Sequence, residues 1–155
     1  MTLNHLLKNV RMLDTVGDTA VGVGAIRFDS RQVQPGDVFV AVRGAQVDGH
    51  NYIATAVEKG AAAVVQETPL QSGYPGVTVV RTDDTAEALG QMAANYYGNP
   101  SGAIKLVGVT GTNGKTTIVT LLWQLFSRLG HTCGLIGTVE NRVGDTVLAS
   151  THTTP

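Results

Sequence analysis

Val107-Gly108-Val109-Thr110-Gly111-Thr112-Asn113-Gly114-Lys115-Thr116-Thr117 restricts this chain more than any other stretch. An apolar, strand-like run passes through a glycine-rich turn into Gly-Lys-Thr-Thr, which opens an amphipathic helix. Backbone N–H groups freed by Gly111 and Gly114 can wrap a phosphate, and the helix behind them adds unsatisfied donors and the positive end of its dipole. In such a loop Lys115 reaches the β and γ phosphates of a nucleoside triphosphate and the Thr116 hydroxyl ligates Mg²⁺. The loop is a variant, because the general pattern sets a glycine where Val109 stands, and Gly108 comes one place early. The plainer reading is a glycine-rich strand-to-helix turn that binds nothing. The strand before, the helix after and the intact Gly-Lys-Thr-Thr all argue against it.

The 155 residues are 43% hydrophobic and 15% charged, with a formal net charge of −1, enough for one good core or two small ones in a soluble globular chain. Near-neutral charge and seven scattered aromatic residues besides Trp123 exclude a basic stripe or stacking platform, so no nucleic-acid partner is expected and the anionic partner should be small. No apolar run reaches the roughly 18 residues of a membrane span, and Met1 to Asp14 lacks a signal-peptide pattern, so a cytoplasmic protein without a membrane partner is expected. Cys133, the single cysteine, excludes an internal disulfide and reads as a buried, inert thiol.

Leu3, Leu6, Leu7 and Val10 share the face of a short helix. Strands are expected at 25–29 and 38–42, separated by the turn Pro35-Gly36-Asp37, and again at 62–66 and 77–81. A helix over about 53–59 should end at Gly60, where positive φ is favoured. Asp83 or Asp84 can cap another, running to about Tyr97 with Leu89, Met92, Ala93 and Tyr96 as its stripe. Asn99-Pro100-Ser101-Gly102 is the strongest break, and a domain boundary is expected there. Beyond it, a strand at 104–109, a helix over about 116–129 with Leu121, Leu122, Leu125 and Leu129 inward and Gly130 at its end, and a strand at 131–136 would form a βαβ unit with parallel strands and a right-handed crossover. The expected class is α/β: a small N-terminal mixed α/β domain at 1–100, then residues 101–155 as the start of a phosphate-loop, parallel-sheet domain. One crossover is too little for a complete nucleotide-binding sheet, so the chain reads as the N-terminal part of a larger enzyme.

Three further patches narrow the field. Asp29-Ser30-Arg31-Gln32-Val33-Gln34-Pro35-Gly36-Asp37-Val38-Phe39-Val40-Ala41 runs on to Gly44 and to Asp48-Gly49-His50-Asn51-Tyr52-Ile53. Ala56 precedes Lys59-Gly60-Ala61-Ala62-Ala63-Val64-Val65, and Gly134-Leu135-Ile136-Gly137-Thr138-Val139 leads to Thr151-His152-Thr153-Thr154-Pro155. With the phosphate loop, these resemble the Mur ligases of peptidoglycan synthesis from about Phe28 onward. Within that family the chain is most similar to the branch that adds the third stem-peptide residue to UDP-N-acetylmuramoyl-L-alanyl-D-glutamate. The sister branch that adds D-alanyl-D-alanine shares the Asp-Ser-Arg and Pro-Gly-Asp features and stays open, as does an unrelated phosphate-loop NTPase or kinase.

The resemblance implies an ATP-dependent, ADP-forming acid–amino-acid ligase working through an acyl phosphate, with the first domain holding the uridine diphosphate end of the substrate and the second holding ATP. It implies substrate contacts at Phe28, Ser30, Ala45, Gln46 and Val47, an ATP site at Gly111, Thr112, Asn113, Gly114, Lys115, Thr116 and Thr117, and Mg²⁺ at Thr116. Lys115 carries the catalytic role. Thr153 and Thr154 resemble the pair close to the reacting carboxylate, and His152 stands where many relatives have Asn. The plainer reading of Asp29, Ser30 and Arg31 is a turn with an ion pair that supports the fold. His5, His50 and His131 read as structural or surface groups. The added amino acid is diaminopimelate, with lysine as the alternative. The full-length enzyme is expected to be a monomer, and this stretch alone inactive.

Overall fold

The computed structural model describes residues 1–44, 47–69 and 74–149, which divide into two compact units, Met1–Lys105 and the residues from Leu106 onward. In the first unit β1 (Met12–Val16), β2 (Ile26–Arg27), β3 (Val38–Val40), β4 (Ala63–Gln66) and β5 (Thr78–Thr82) form one sheet in the order β1-β5-β4-β3-β2. Strands β2 to β5 are mutually parallel, and β1 closes one edge antiparallel to β5. The inner strands Val38-Phe39-Val40 and Ala63-Val64-Val65-Gln66 are buried throughout, the unbroken apolar reading of a sheet covered on both faces.

Successive residues point to opposite faces, so two cores form. Val38, Val40, Ala63, Val65 and Val80 meet Leu3 and Leu6 of α1 (Leu3–Leu6) and Ala88 and Met92 of α3 (Thr85–Tyr96). Phe39, Ala41 and Val64 meet Ile53 and Ala56 of α2 (Ile53–Glu58) together with Val33 and Ala61. The helix ends are those the residues predict. Asp84 caps α3 by accepting the N–H groups of Ala86 and Glu87 at 2.8 and 2.9 Å, and Gly60 follows α2 at φ +89°.

Buried Asp37 ties this unit's turns together. Its carboxylate accepts the N–H of Ala25 (2.8 Å), the N–H of Gln34 (3.1 Å) and the Arg27 guanidinium (3.0 Å). Burial raises the cost of its charge, but these donors outweigh that and hold the carboxyl below its usual range.

The second unit holds α4 (Lys115–Arg128) and an antiparallel sheet of β6 (Gly134–Ile136), β7 (Glu140–Val143) and β8 (Thr146–Ala149). Several expectations fail here. Residues 104–109 form no strand and β6 pairs antiparallel with β7, so the second unit has no parallel βαβ pair among its described residues. The local sheet wins because β6 and β7 are joined through 137–139 alone and Gly144, at φ +55°, closes a two-residue turn with Asp145 between β7 and β8, both far more local closures than pairing across a helix. Leu121, Leu125 and Leu129 are exposed rather than inward, and Leu122 alone of the four is half-buried. The narrow hairpin sheet instead covers the Trp123 side of α4, where the Arg142 guanidinium stacks 4.7 Å from the indole. Cys133 is half-buried, not buried, and Gly130 ends α4 at φ +84° as expected. No helix among the described residues is long and apolar enough to cross a membrane.

Candidate nucleotide and substrate sites

The glycine-rich loop has the backbone its sequence asks for. Gly111 sits at φ +146° and Gly114, the residue before α4, at φ +79°, conformations that L side chains rarely adopt. No side chain caps this helix. Among the described residues, the N–H groups of Gly111 through Thr117 find no protein acceptor, so a run of donors stands ready for an anion at the positive end of a 14-residue helix. Exposed Lys115 folds back over the loop, its ammonium 2.6 Å from the Gly111 carbonyl and 3.5 Å from that of Thr112. Thr116 and Thr117 lie exposed in the first turn of α4. Free donors, one exposed cation and a hydroxyl beside them fit a triphosphate with its Mg²⁺.

The second group of predicted residues lies on the first unit. Because β2 to β5 run parallel, their carboxyl ends open on one edge, the place where ligands bind in open α/β sheets. Phe28, 54% exposed, and buried Ser30 follow β2, and Val47, also 54% exposed, lies in the loop after neighbouring β3. Ser30 opens a 3₁₀ turn (Ser30–Gln32), whose first two carbonyls are held by the Lys59 ammonium at 3.0 Å from Ser30 O and 2.8 Å from Arg31 O. Asp29 accepts the Arg31 N–H at 3.0 Å and grips its guanidinium at 2.7 to 3.1 Å. The Arg31 side chain beside Asp29 pulls that carboxyl down to about 2. The pair thus follows the structural reading, a turn locked by its own ion pair. Ala45, Gln46, His152, Thr153 and Thr154 lie outside the described residues.

One polar cluster escaped the sequence. The side chain of His50 is 8% exposed, with Nδ1 at 2.6 Å from Asp48 Oδ1 and Nε2 accepting the Glu67 N–H at 2.9 Å. The Glu67 carboxylate in turn accepts the N–H and hydroxyl of Thr85 at 3.1 and 2.9 Å. Asp-Gly-His spacing was the available signal; Glu67, 17 residues on, could not be paired with it before the sheet was known. Among the described residues no group of three or more His, Cys, Asp or Glu side chains is arranged to hold a metal.

Residues 23–97 match the family described as "Mur ligase family, catalytic domain", and residues 109–155 match the "Mur ligase middle domain". The chain belongs to the Mur ligase family. A relative from Cytophaga hutchinsonii, named UDP-N-acetylmuramoyl-L-alanyl-D-glutamate--2,6-diaminopimelate ligase, is 51% identical over 156 residues, covering all of this chain and 32% of the relative. A solved structure carrying that same ligase name aligns over the whole of this Mur ligase chain and 31% of its own, with 25% identity and a TM-score of 0.72. A UDP-N-acetylmuramoylalanyl-D-glutamyl-2,6-diaminopimelate--D-alanyl-D-alanyl ligase from Acinetobacter baumannii aligns over 83% of this chain and 28% of its own, with 29% identity and a TM-score of 0.57. The chain spans about a third of the length of the curated relatives it matches.

Proposed function

We propose that this chain is the substrate-entry part of a MurE-type ligase of peptidoglycan synthesis, a cytoplasmic, ATP-dependent enzyme that joins diaminopimelate to UDP-N-acetylmuramoyl-L-alanyl-D-glutamate. The observation that carries the reading is the pairing of two sites on two units. One is an open carboxyl-end edge bearing Phe28, Ser30 and Val47; the other is a loop whose N–H groups from Gly111 to Thr117 stand free beside Lys115. The 51% identity to a diaminopimelate ligase across the full chain favours this branch over the one that adds D-alanyl-D-alanine.

The uridine end of the substrate lies on the first unit, where Phe28 packs against the base and the Ser30 hydroxyl and turn amides bond uracil or pyrophosphate oxygens. On the second unit, the N–H groups of Gly111 to Thr117 cradle the ATP phosphates, and the Lys115 ammonium leaves the Gly111 carbonyl for the β and γ phosphate oxygens. The Thr116 hydroxyl would hold Mg²⁺, whose charge would further neutralise the phosphates. The D-glutamate side carboxylate attacks the γ phosphorus, ADP leaves and an acyl phosphate forms. The amine of diaminopimelate then attacks the acyl carbon, expelling inorganic phosphate and closing the amide. Lys115 acts through charge and position, not by proton transfer.

The test is ADP release by the complete ligase with ATP, Mg²⁺ and the UDP-dipeptide, comparing diaminopimelate, lysine and no amino acid. Release that requires diaminopimelate supports the proposal, and release that requires lysine redirects the specificity. Release only with the UDP-tripeptide and D-alanyl-D-alanine, or release indifferent to any uridine substrate, contradicts it.

A further inference from the structure

The loop between β3 and α2 folds back on itself directly after the strand. Gly49 N–H donates to the Val42 carbonyl at 2.9 Å, Gly44 N–H to the Val47 carbonyl at 2.9 Å, and Arg43 bridges antiparallel to Asp48. The two limbs run so close that a Cβ on Gly49 would stand 2.7 Å from the Val42 oxygen, leaving room for glycine only. This finger, its paired limbs at 42–44 and 47–49, rises from the same sheet edge as Phe28 and Ser30, and something must hold its base.

His50 meets that need. Its Nε2 accepts the Glu67 N–H, so in the neutral ring the proton resides on Nδ1 and is donated to Asp48 Oδ1. One buried ring therefore joins the finger to the end of β4, and Glu67 carries the tie on to the first turn of α3 through Thr85. The Arg43 guanidinium spans Asp48 and Glu67 at 3.3 and 3.5 Å from outside. The two His50 hydrogen bonds, backbone N–H first and ring second, hold the Asp48 carboxyl below its ordinary range, in keeping with an ionised acceptor.

We infer that His50 is a positioning residue for substrate binding: clamped between Asp48 and the Glu67 N–H, its ring fixes the finger after β3 at the height where a uridine diphosphate group is read. The inference rests on the uridine-substrate reading proposed above. It assigns His50 no contact with substrate and no part in proton transfer. The clamp needs a donor for Asp48 and an acceptor for the Glu67 N–H at once: a Gln amide carries both at the reach of Nε2, an Asn amide carries both one methylene short of it, and Ala carries neither.

In the complete ligase, titration calorimetry with UDP-N-acetylmuramoyl-L-alanyl-D-glutamate, with KM and kcat measured alongside, tests this. His50→Ala and His50→Asn should weaken Kd and raise the KM for that substrate about tenfold, the scale of one or two lost ordering hydrogen bonds, while kcat and the KM for ATP stay within about twofold. His50→Gln should recover most of the loss. Where His50→Ala does not yield folded protein, the Asn and Gln variants carry the same comparison. No binding by the unaltered enzyme overturns the uridine reading and this inference with it. Tight binding by the unaltered enzyme that His50→Ala and His50→Asn leave within twofold overturns the inference alone, as does a fall in kcat with KM unchanged.

Discussion

Replacing Asp37 by alanine should be among the most damaging single changes to the first unit. The Asp37 side chain is 7% exposed and serves three donors: the N–H groups of Ala25 and Gln34 and the Arg27 guanidinium. Hydrogen bonds to a charged partner contribute about 1.5–3 kcal/mol each, so two backbone donors at the low end give about 3 kcal/mol. Arg27, whose side chain is 31% exposed, adds at most about 1 kcal/mol after solvent screening. Asp37→Ala should thus cost about 3–4 kcal/mol, and Asp37→Asn, which keeps one acceptor oxygen, about half of that. Urea unfolding of the chain reads this as a midpoint lowered by about 2 M for the alanine variant at an unchanged slope. The pH dependence has a definite sign. Because the folded carboxyl titrates below its unfolded value, its stabilisation is complete at neutral pH and fades as pH falls below about 4 through the lowered pKa. The gap between native and variant should therefore narrow in acid. A cost under about 1 kcal/mol at pH 7, or a gap as wide at pH 3 as at pH 7, would show that the ionised Asp37 carboxylate does not hold these turns.

Two backbone predictions accompany it. Gly60→Ala places a side chain at φ +89° with its Cβ 3.2 Å from Pro35 Cα, and should cost about 2 kcal/mol, read as a drop in Tm of roughly 10 °C. Asp84→Ala removes the acceptor for the Ala86 and Glu87 N–H groups and should cost about 1 kcal/mol in urea unfolding, with Asp84→Asn close to neutral.

The first unit was largely legible in the sequence because its signals are local. Apolar runs at Val38–Val40 and Ala63–Gln66, the Asp84 cap and the glycine at 60 each specify their element without help from distant chain. Strand β1 was missed for the opposite reason. Met12, Leu13 and Val16 are all close to half exposed on an edge, so no alternation marks it, and its partner β5 lies more than 60 residues away. In the second unit the periodicity of α4 was read correctly as a helix but its facing was not, since which side is covered depends on the hairpin that Gly144 and Asp145 create. The phosphate loop was readable because glycine, lysine and threonine at that spacing state their chemistry directly. The His50 clamp was not, because an imidazole's role depends on which atoms flank it, and one of them is the backbone N–H of Glu67.

Central to the account is the division of labour between two sites, and Lys115→Ala in the complete ligase tests it most directly. The variant's ADP release and its affinity for UDP-N-acetylmuramoyl-L-alanyl-D-glutamate should be measured on one preparation. Release should fall below detection, because the phosphate charge loses its cation, while the Kd for the uridine substrate stays within about twofold of the unaltered enzyme. Parallel loss of both, or turnover that survives, would contradict that division.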